Sequence, residues 1–524
     1  MPLSPFSWFL SFLPVLCVMV LMLGFKWGGT RASAVAWITA ALISLLAFGG
    51  TWEMLAYTQV KSILLSLDVL YIVWSALLLY NLAKDAGAID LIGKLIPTIS
   101  DDRGLQILLV AWLMTSFLQG MGGFGVPIAI CAPILVGMGF SPIKAVVMAA
   151  IGHGWAVNFG SMAAAFQALL AVTGVSGFVL APFTAILLGL TLIPTAVIIT
   201  VIGTGWKGLK HTLPAIVLVS LVMGVAQYYL ATSGLWNMAT TGAALLGLVT
   251  MLLLTRLPRY RKTTLPKPEN NPVQMSPRLI LVMVSPYLIL MVLGFAIILI
   301  KPLNNWLNQV SLSLMFPEIQ TLHGWTTSAG EGKIIQPFSH PGSILLYSCL
   351  ISSLIYRSKG ILKTGATWRI LSGVLHSSVD ASLGVIAMVG VAGIMTHSGM
   401  TNLLARGLSE SINKVVYPAI APFIGVLGAF LTGSNNNSNV LFAQLQMETA
   451  TLMKLSVPLI LSAQTAGGSL GSIMSPAKVI VGCSTVGLNQ QEGVVLRNIV
   501  IYGLIPVVIV AIATTIWSLA LTGG

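Results

Sequence analysis

Charge is what this sequence has least of, since only 7% of its 524 residues are Asp, Glu, Lys or Arg and 56% are hydrophobic. A soluble globule of that composition would expose large apolar patches, so the composition excludes a soluble domain. Acidic residues are scarcest, with 13 Asp and Glu against 26 Lys and Arg. The basic residues fall in short connections between apolar stretches, which indicates membrane orientation and not a nucleic-acid partner.

Cysteines and enzyme signatures are also rare. The four cysteines lie within or beside apolar stretches without metal-ligand spacing, and we predict packing roles for Cys17, Cys131, Cys349 and Cys483. The sequence holds no GxxxxGK[ST] phosphate loop. We therefore expect neither an enzyme nor a cofactor or metal.

Apolar stretches of the length that crosses a bilayer as a helix, roughly 17 to 25 residues, recur along the whole chain. The alternating segments of barrel strands do not recur, and helices satisfy their own backbone hydrogen bonds within lipid. The predicted fold class is thus an all-α polytopic membrane protein in contact with membrane lipid. The clear spans are 7–25, 32–50, 63–82, 178–203, 213–231, 235–255, 279–300, 342–356, 370–396 and 498–521.

Loop charges predict how the chain is organised. Basic clusters in successive connections mark the cytoplasmic side, so the N-terminus faces outward. Prolines and charges make 256–278 a cytoplasmic linker, and 301–341 is the main outer loop. The predicted segments are 1–62 with scaffold helices, 63–203 with a first repeat, 204–300 with further scaffold helices, 342–497 with a second repeat, and 498–524 with a C-terminal helix.

Two halves of the chain repeat one pattern. SFLQGMGGFGVP (116–127) aligns with AFLTGSNNNSNV (429–440) at an offset of 433 − 120 = 313 residues. The same offset pairs Ala150 with Ala463 and Gly154 with Gly467. Because the loop charges orient spans 63–82 and 376–397 oppositely, the halves are predicted to be inverted repeats.

Each repeat contains two interruptions. The first is a pair of half-length helices, 104–119 and 128–140 around the tip 120–127, with the run Ser434 to Asn439 as the corresponding tip in the second repeat. The second interruption is a broken helix, at 152–161 and at 464–475. Half-length arms suit re-entrant hairpins, whose exposed backbone is tolerated only where it lines a protein or water-filled cavity.

The tips and breaks together predict an anion site. Four helix ends with unpaired N–H groups would converge near the bilayer midplane, and neutral donors suffice for a small carboxylate. Glycines in the first tip allow close approach of a ligand to the backbone. The predicted lining residues are Gly122, Gly123, Gly125, Asn158, Ser161, Ser434, Asn435, Asn436, Ser438, Asn439, Thr465, Gly467 and Ser469.

A few ionisable residues lie inside apolar spans, where an unpaired charge is costly and often functional. Asp68 and Asp380 occupy equivalent spans of the two halves, 380 − 68 = 312, and His153 lies in the first break. We predict these three as proton-coupling candidates, each with a structural hydrogen-bonding role as the alternative. Lys144 and Lys478 are interpreted as boundary residues near the inner face.

Several segments resemble the bacterial L-lactate permease family: TGSNNNSNVLFAQLQ (432–446), GGFGVPIAI (122–130), THSGMT (396–401) and SPAKVIVG (475–482). The resemblance implies uptake of lactate or glycolate across the bacterial inner membrane together with a coupling ion, for which a proton is expected first and sodium is the alternative. It also implies membership of the ion-transporter superfamily, with a mobile transport domain that slides like an elevator against a scaffold, commonly as a homodimer. The alternatives are a symporter of another small organic anion (a sulfonate or dicarboxylate), an anion channel, and a membrane enzyme or polymerisation scaffold.

Overall fold

The computed structural model describes residues 4–25, 27–88, 91, 100, 102–121, 123, 125–261, 276–332, 334–488 and 491–522. Within them the fold is helical, as predicted, except for short strands in the segment 301–341. Met315–Phe316 pairs antiparallel with Gly330–Glu331, and Ile319–Gln320 pairs antiparallel with Thr326–Thr327.

Helices of the N-terminal half follow the apolar stretches closely. A π-helical segment, Val20–Gly24, extends the first helix, and Gly154–Ala156 is a 3₁₀ turn inside the first break. The helices are Pro5–Met19, Gly29–Ala47, Trp52–Asp85, Arg103–Met121, Val126–Gly137, Pro142–Gly152, Gly160–Thr173, Gly177–Gly189, Leu192–Thr232, Trp236–Leu254 and Pro258–Arg261.

The C-terminal half has the same mixture of long and short helices. Of the predicted linker 256–278, residues 262–275 lie outside the described residues. The helices are Pro277–Leu299, Lys301–Leu307, Pro341–Ser358, Ala366–His397, Met400–Ser411, Tyr417–Thr432, Asn435–Leu452, Val457–Ser472, Pro476–Thr485 and Glu492–Thr522.

Among the described residues, seven helical stretches are long and apolar enough to cross a membrane, or nine if each of two bent pairs is one span. The first bent pair joins Pro142–Ala156 to Gly160–Thr173 at 52°, which is the predicted first break. The second joins Ser382–His397 to Met400–Ser411 at 73°. The protein therefore has the helices of a multi-pass membrane protein.

One predicted span is wrong in its continuity. Residues 178–203 form two helices, because Gly177–Gly189 ends before Leu190 and a new helix begins at Leu192. The Thr191 hydroxyl donates to the Leu188 carbonyl oxygen at 2.7 Å, so this carbonyl has a hydrogen-bond partner at the break. Hydropathy could not reveal the break, since residues on both sides are apolar.

The two helices that flank each tip pack against each other, so each pair forms a helical hairpin. We call Arg103–Met121 with Val126–Gly137 the first hairpin, and Tyr417–Thr432 with Asn435–Leu452 the second hairpin. The second hairpin also packs on Val457–Ser472. All of these helices contribute side chains to one continuous hydrophobic core, which fixes the hairpin tips beside the breaks.

Candidate functional site

A cavity of about 40 Å³ lies where the two hairpins and the two breaks meet. Its walls come from both halves of the chain, and polar side chains predominate among the residues of the second half. The lining residues are Gln119, Val157, Gly160, Ser161, Ala164, Gly433, Ser434, Asn435, Asn436 and Lys478.

The first break bends through an unusual left-handed turn. Ser161, Met162 and Ala163 have φ values of 48°, 56° and 59°, a region that costs L-residues roughly 1–2 kcal/mol each. The turn is fully packed, with Met162 and Ala163 buried. The turn places Ser161 at the cavity wall. None of its three residues is a glycine, so the sequence shows no sign of a left-handed conformation here.

The first hairpin tip touches the first break. Gly123 has φ of 60°, and a Cβ at this position would overlap the Ser161 hydroxyl, so only glycine allows this approach. Gly125, with φ of 84°, is the N-cap of Val126–Gly137 and does not line the cavity. Gly122 lies outside the described residues.

The second tip is shorter than predicted. Only Gly433 and Ser434 separate the two helices, and Asn435 to Asn439 form the first turns of Asn435–Leu452. Ser434 is the N-cap, a position that serine favours, although its side chain makes no capping hydrogen bond. This helix start suits the predicted anion site, because the first-turn N–H groups, which have no partner within the helix, lie at the cavity wall.

Behind the cavity wall a hydrogen-bond network joins the two halves. The Asn435 side-chain amide donates to Asn158 Oδ1 at 3.4 Å and to the Thr465 carbonyl oxygen at 3.2 Å. The Thr465 hydroxyl also donates to Asn158 Oδ1. The Asn158 backbone N–H donates to Ser469 Oγ at 3.0 Å. Asn158, Thr465 and Ser469 therefore hold the cavity wall without lining it.

Asn439, Ser438 and Gly467 also lie away from the cavity. Asn439 Nδ2 donates to the Ala165 carbonyl at 2.9 Å and to Thr465 Oγ1 at 2.7 Å. The Ser438 hydroxyl donates to the Gly425 carbonyl at 2.8 Å within the second hairpin. These predicted lining residues thus hold the surrounding helices together.

The second break is shorter than its predicted extent, 464–475, and lies at the end of that range. Residues 464–472 stay helical, and the helix restarts at Pro476. The small residues in this stretch serve close helix packing, since a Cβ on Gly471 would lie 2.5 Å from the Val426 Cα. GGSLG (467–471) also matches the GxSxG pattern of hydrolases, but Ser469 is buried in the helix and donates to the Gly154 carbonyl at 2.7 Å.

Sequence reasoning missed two polar cavity residues, Gln119 and Lys478. The sequence pattern predicts Lys478 as a boundary residue. Lys478 is 8% exposed, and its Nζ donates to Ser472 Oγ at 3.2 Å. Among the described residues no carboxylate forms an ion pair with it. Its motif, Ser-Pro-Ala-Lys, has a twin in Ser-Pro-Ile-Lys at 141–144, where Lys144 is exposed. The motif alone therefore could not tell a boundary lysine from a buried one.

Of the predicted proton-coupling residues, His153 and Asp68 do not line the cavity. His153 is buried, and its Nδ1–H donates to the Ala149 carbonyl at 2.9 Å. Asp68 accepts from His340 Nε2 at 3.1 Å, and both residues are buried. Asp380 belongs to helix Ala366–His397, and its side chain lies outside the described residues.

We expect Asp68→Asn to lower stability without altering the cavity, because Asp68 pairs with His340 away from the cavity. The midpoint of thermal unfolding should fall by a few degrees, as expected for a loss of about 1–2 kcal/mol. Since the pair acts as a unit, His340→Gln should have a similar effect and the double variant little more. An unchanged unfolding midpoint in Asp68→Asn would contradict this structural role.

A larger crevice of about 120 Å³ lies between the segment 321–325 and residues 398–406, which comprise a bend between two helices and the first turns of the second. Its basic side chains, His323 and Arg406, are exposed, so water already solvates them. The small cavity instead contains the buried ammonium group of Lys478. A buried charge needs an anionic partner far more than an exposed, solvated side chain does. We therefore take the small cavity as the candidate site.

Helices that are long and apolar enough to cross a membrane, with interrupted helices at the wall of a cavity that has polar lining residues, define a polytopic membrane protein. The chain belongs to the L-lactate permease family, whose family model matches residues 7–521. It is a transporter and not an enzyme.

Named relatives agree with this assignment. The chain is 28% identical to the glycolate permease GlcA of Escherichia coli K12, over 98% of this chain and 96% of the relative. It is 27% identical to the L-lactate permease of Salmonella typhimurium LT2 over 97% and 95%, and 26% identical to that of Halalkalibacterium halodurans over 98% and 97%. The inner membrane of a bacterium fits these bacterial relatives.

Two solved transporters have a similar overall arrangement at low identity. They are the YdaH transporter of Alcanivorax borkumensis, with a TM-score of 0.47 and 16% identity over 88% of this chain and 87% of the other, and MtrF of Neisseria gonorrhoeae. The second has a TM-score of 0.49 and 12% identity over 95% and 96%.

Proposed function

We propose that the protein takes up a small 2-hydroxy monocarboxylate, lactate or glycolate, together with a proton. The substrate binds in the cavity between the two hairpin tips and the two breaks. The observation that carries the proposal is Lys478, a buried cation at a cavity whose lining residues include no carboxylate.

The charge of Lys478 selects the substrate class. A buried ammonium group without a counter-ion costs several kcal/mol, and a single carboxylate in the cavity would offset this cost. A dicarboxylate would bring a second negative charge for which the lining residues offer no second cation. A neutral amide would leave the ammonium unpaired. The cavity therefore favours monocarboxylates.

Polar side chains and backbone groups supply further contacts. The first turn of Asn435–Leu452 directs unpaired N–H groups and the positive end of the helix dipole toward a bound carboxylate. Gln119 and Ser161, on the wall from the first half, can bind the 2-hydroxyl group. The cavity volume of about 40 Å³ favours a small acid over a bulky one.

The proposal extends to how the protein moves. Each half contributes one hairpin tip and one break to the same cavity, which supports two inverted repeats around a central site. Such a site would be exposed to the two sides of the membrane in turn by sliding of the hairpins and broken helices against a scaffold, in a homodimer. The names of the glycolate and L-lactate permeases favour the same substrates.

Counterflow tests the carrier function. Purified protein in liposomes loaded with unlabelled lactate should accumulate labelled lactate transiently, because a carrier exchanges its substrate across the membrane. A thermal-shift screen on the same preparation should show stabilisation by lactate and glycolate, and none by their amides, sulfonates or dicarboxylates. Purely dissipative flux at channel rates, or stabilisation by only another acid class, would contradict the proposal.

A further inference from the structure

We infer that the Lys478 side chain carries the coupling proton as well as binding the substrate carboxylate. The inference rests on the proposed function and assigns the coupling to the binding site itself. It replaces Asp68, which pairs with His340 away from the cavity.

The hydrogen bonds of Lys478 allow both states of the amine. Ser472 Oγ donates to the Ser469 carbonyl at 2.9 Å, so its oxygen accepts one N–H from Lys478 Nζ at 3.2 Å. An NH₂ group and an NH₃⁺ group can each make this donation. Lys478 also lines the cavity, so the state of its amine decides whether the cavity holds a positive charge.

The helices around Lys478 carry few acidic side chains that could stabilise a permanent positive charge on it. Its helix, Pro476–Thr485, packs against Val126–Gly137, Pro142–Gly152 and Glu492–Thr522. Val126–Gly137 has no acidic or basic residue, and Lys144 on the second helix is exposed. The ionisable side chains on these helices, on its own helix and in the adjoining first break are Cys131, Lys144, Cys483, Glu492, Arg497, Tyr502 and His153.

Another acid, which is only partly buried, is too distant to replace it. Glu448 lies on the same helix as Asn436 but 448 − 436 = 12 residues further, about 18 Å along the helix axis. Its carboxylate accepts from Gln444 Nε2 at 3.2 Å. A proton on Glu448 would therefore not change the charge of the cavity directly.

Because the Lys478 amine both carries the proton and binds the substrate carboxylate, proton transport and substrate transport are strictly coupled. On the outer side the neutral amine takes a proton from water, and the resulting ammonium binds the substrate carboxylate as an ion pair. On the inner side the carboxylate leaves, and the ammonium then releases its proton to water. One proton and one carboxylate cross in each cycle without net charge. The protein changes conformation with the ion pair or with the neutral amine, since a lone buried ammonium is costly.

Substitution of Lys478 separates binding from coupling. Arginine keeps a permanent positive charge, so Lys478→Arg should still exchange lactate between the two sides, within roughly tenfold of the wild-type rate. It should fail to accumulate lactate when the outside is acidic, and lactate should no longer bring protons into liposomes that contain a pH-sensitive dye. Lys478→Gln should lose binding and exchange altogether.

The matched control is Lys144, which follows Ser-Pro in the same way but is exposed. Lys144→Arg and Lys144→Gln should exchange and accumulate lactate like the wild type. Acid-driven accumulation by Lys478→Arg with normal proton entry would overturn the inference and leave the proposed function standing. Absence of lactate and glycolate exchange in the wild type would instead contradict the proposed function.

The wild type provides a second test that does not depend on whether the variants fold. Lactate binding to the purified protein is measured by calorimetry in buffers with different ionisation enthalpies. Binding should take up about one proton at alkaline pH and progressively fewer as the pH falls, because the amine is then already protonated. No proton uptake at any pH between about 6 and 9 would overturn the inference.

Discussion

The variant Asn436→Asp is expected to lose lactate uptake completely while remaining folded. Asn436 is half-buried and lines the cavity together with Lys478. Aspartate has nearly the same shape as asparagine but brings a permanent negative charge. It would pair with the Lys478 ammonium and so occupy the position of the substrate carboxylate.

The expected effect is large because both charges share one small cavity. At a separation of about 5 Å and an effective dielectric constant of about 20, two unit charges interact by roughly 3 kcal/mol. The new aspartate repels the substrate carboxylate and also occupies the Lys478 ammonium, and both effects lower substrate affinity. Substrate affinity should therefore fall by more than about a hundredfold.

Stability separates this explanation from misfolding. The new ion pair should raise the thermal unfolding midpoint of the substrate-free variant, or leave it unchanged, although transport is lost. The matched control Asn436→Ser removes the amide without adding charge and should reduce affinity by less than about tenfold. Uptake by Asn436→Asp at the wild-type rate would show that Asn436 and Lys478 do not face a common substrate.

The sequence predicted the membrane class, most helices and the position of the first break, because hydropathy and interruptions in it are local properties of the chain. The repeat at an offset of 313 residues also identified the segments that line the cavity. Ser161, Ser434, Asn435 and Asn436 were predicted as lining residues, and all four reach the cavity wall.

The errors arise where one pattern has two physical causes. Polar and small residues at 464–472 were interpreted as a helix break, but they allow two helices to pack closely. The lysine of Ser-Pro-Ala-Lys was interpreted as a boundary residue, because burial depends on helices that are distant in the sequence. The left-handed turn at Ser161 to Ala163 carries no glycine signal and results from tertiary packing.

The variant Gly467→Ala should destabilise the fold strongly, although the sequence suggested a site role for this glycine. A Cβ at Gly467 would overlap the Pro422 carbonyl oxygen, and it would lie 2.6 Å from the carbonyl carbon and 2.7 Å from the Cα. These are backbone atoms of the neighbouring helix Tyr417–Thr432, so no side chain can rotate to make room. The two helices would have to move apart along their whole contact.

Helix separation would remove the packing that positions the second hairpin tip. Overpacking of this kind costs typically 1–3 kcal/mol, and more where the obstacle is backbone. The cost outweighs the gain of up to about 1 kcal/mol that alanine has over glycine inside a helix. We expect little monodisperse protein in size-exclusion chromatography and an unfolding midpoint lowered by several degrees.

Gly189→Ala is the matched control, because Gly189 also lies in an apolar helix and a Cβ there would meet nothing within 4 Å. It should express and unfold like the wild type. If Gly467 served mainly as a ligand contact, Gly467→Ala would instead give normally stable protein that no longer binds lactate. That outcome would reject close helix packing as the reason for glycine at this position. A stable and active Gly467→Ala protein would reject both roles.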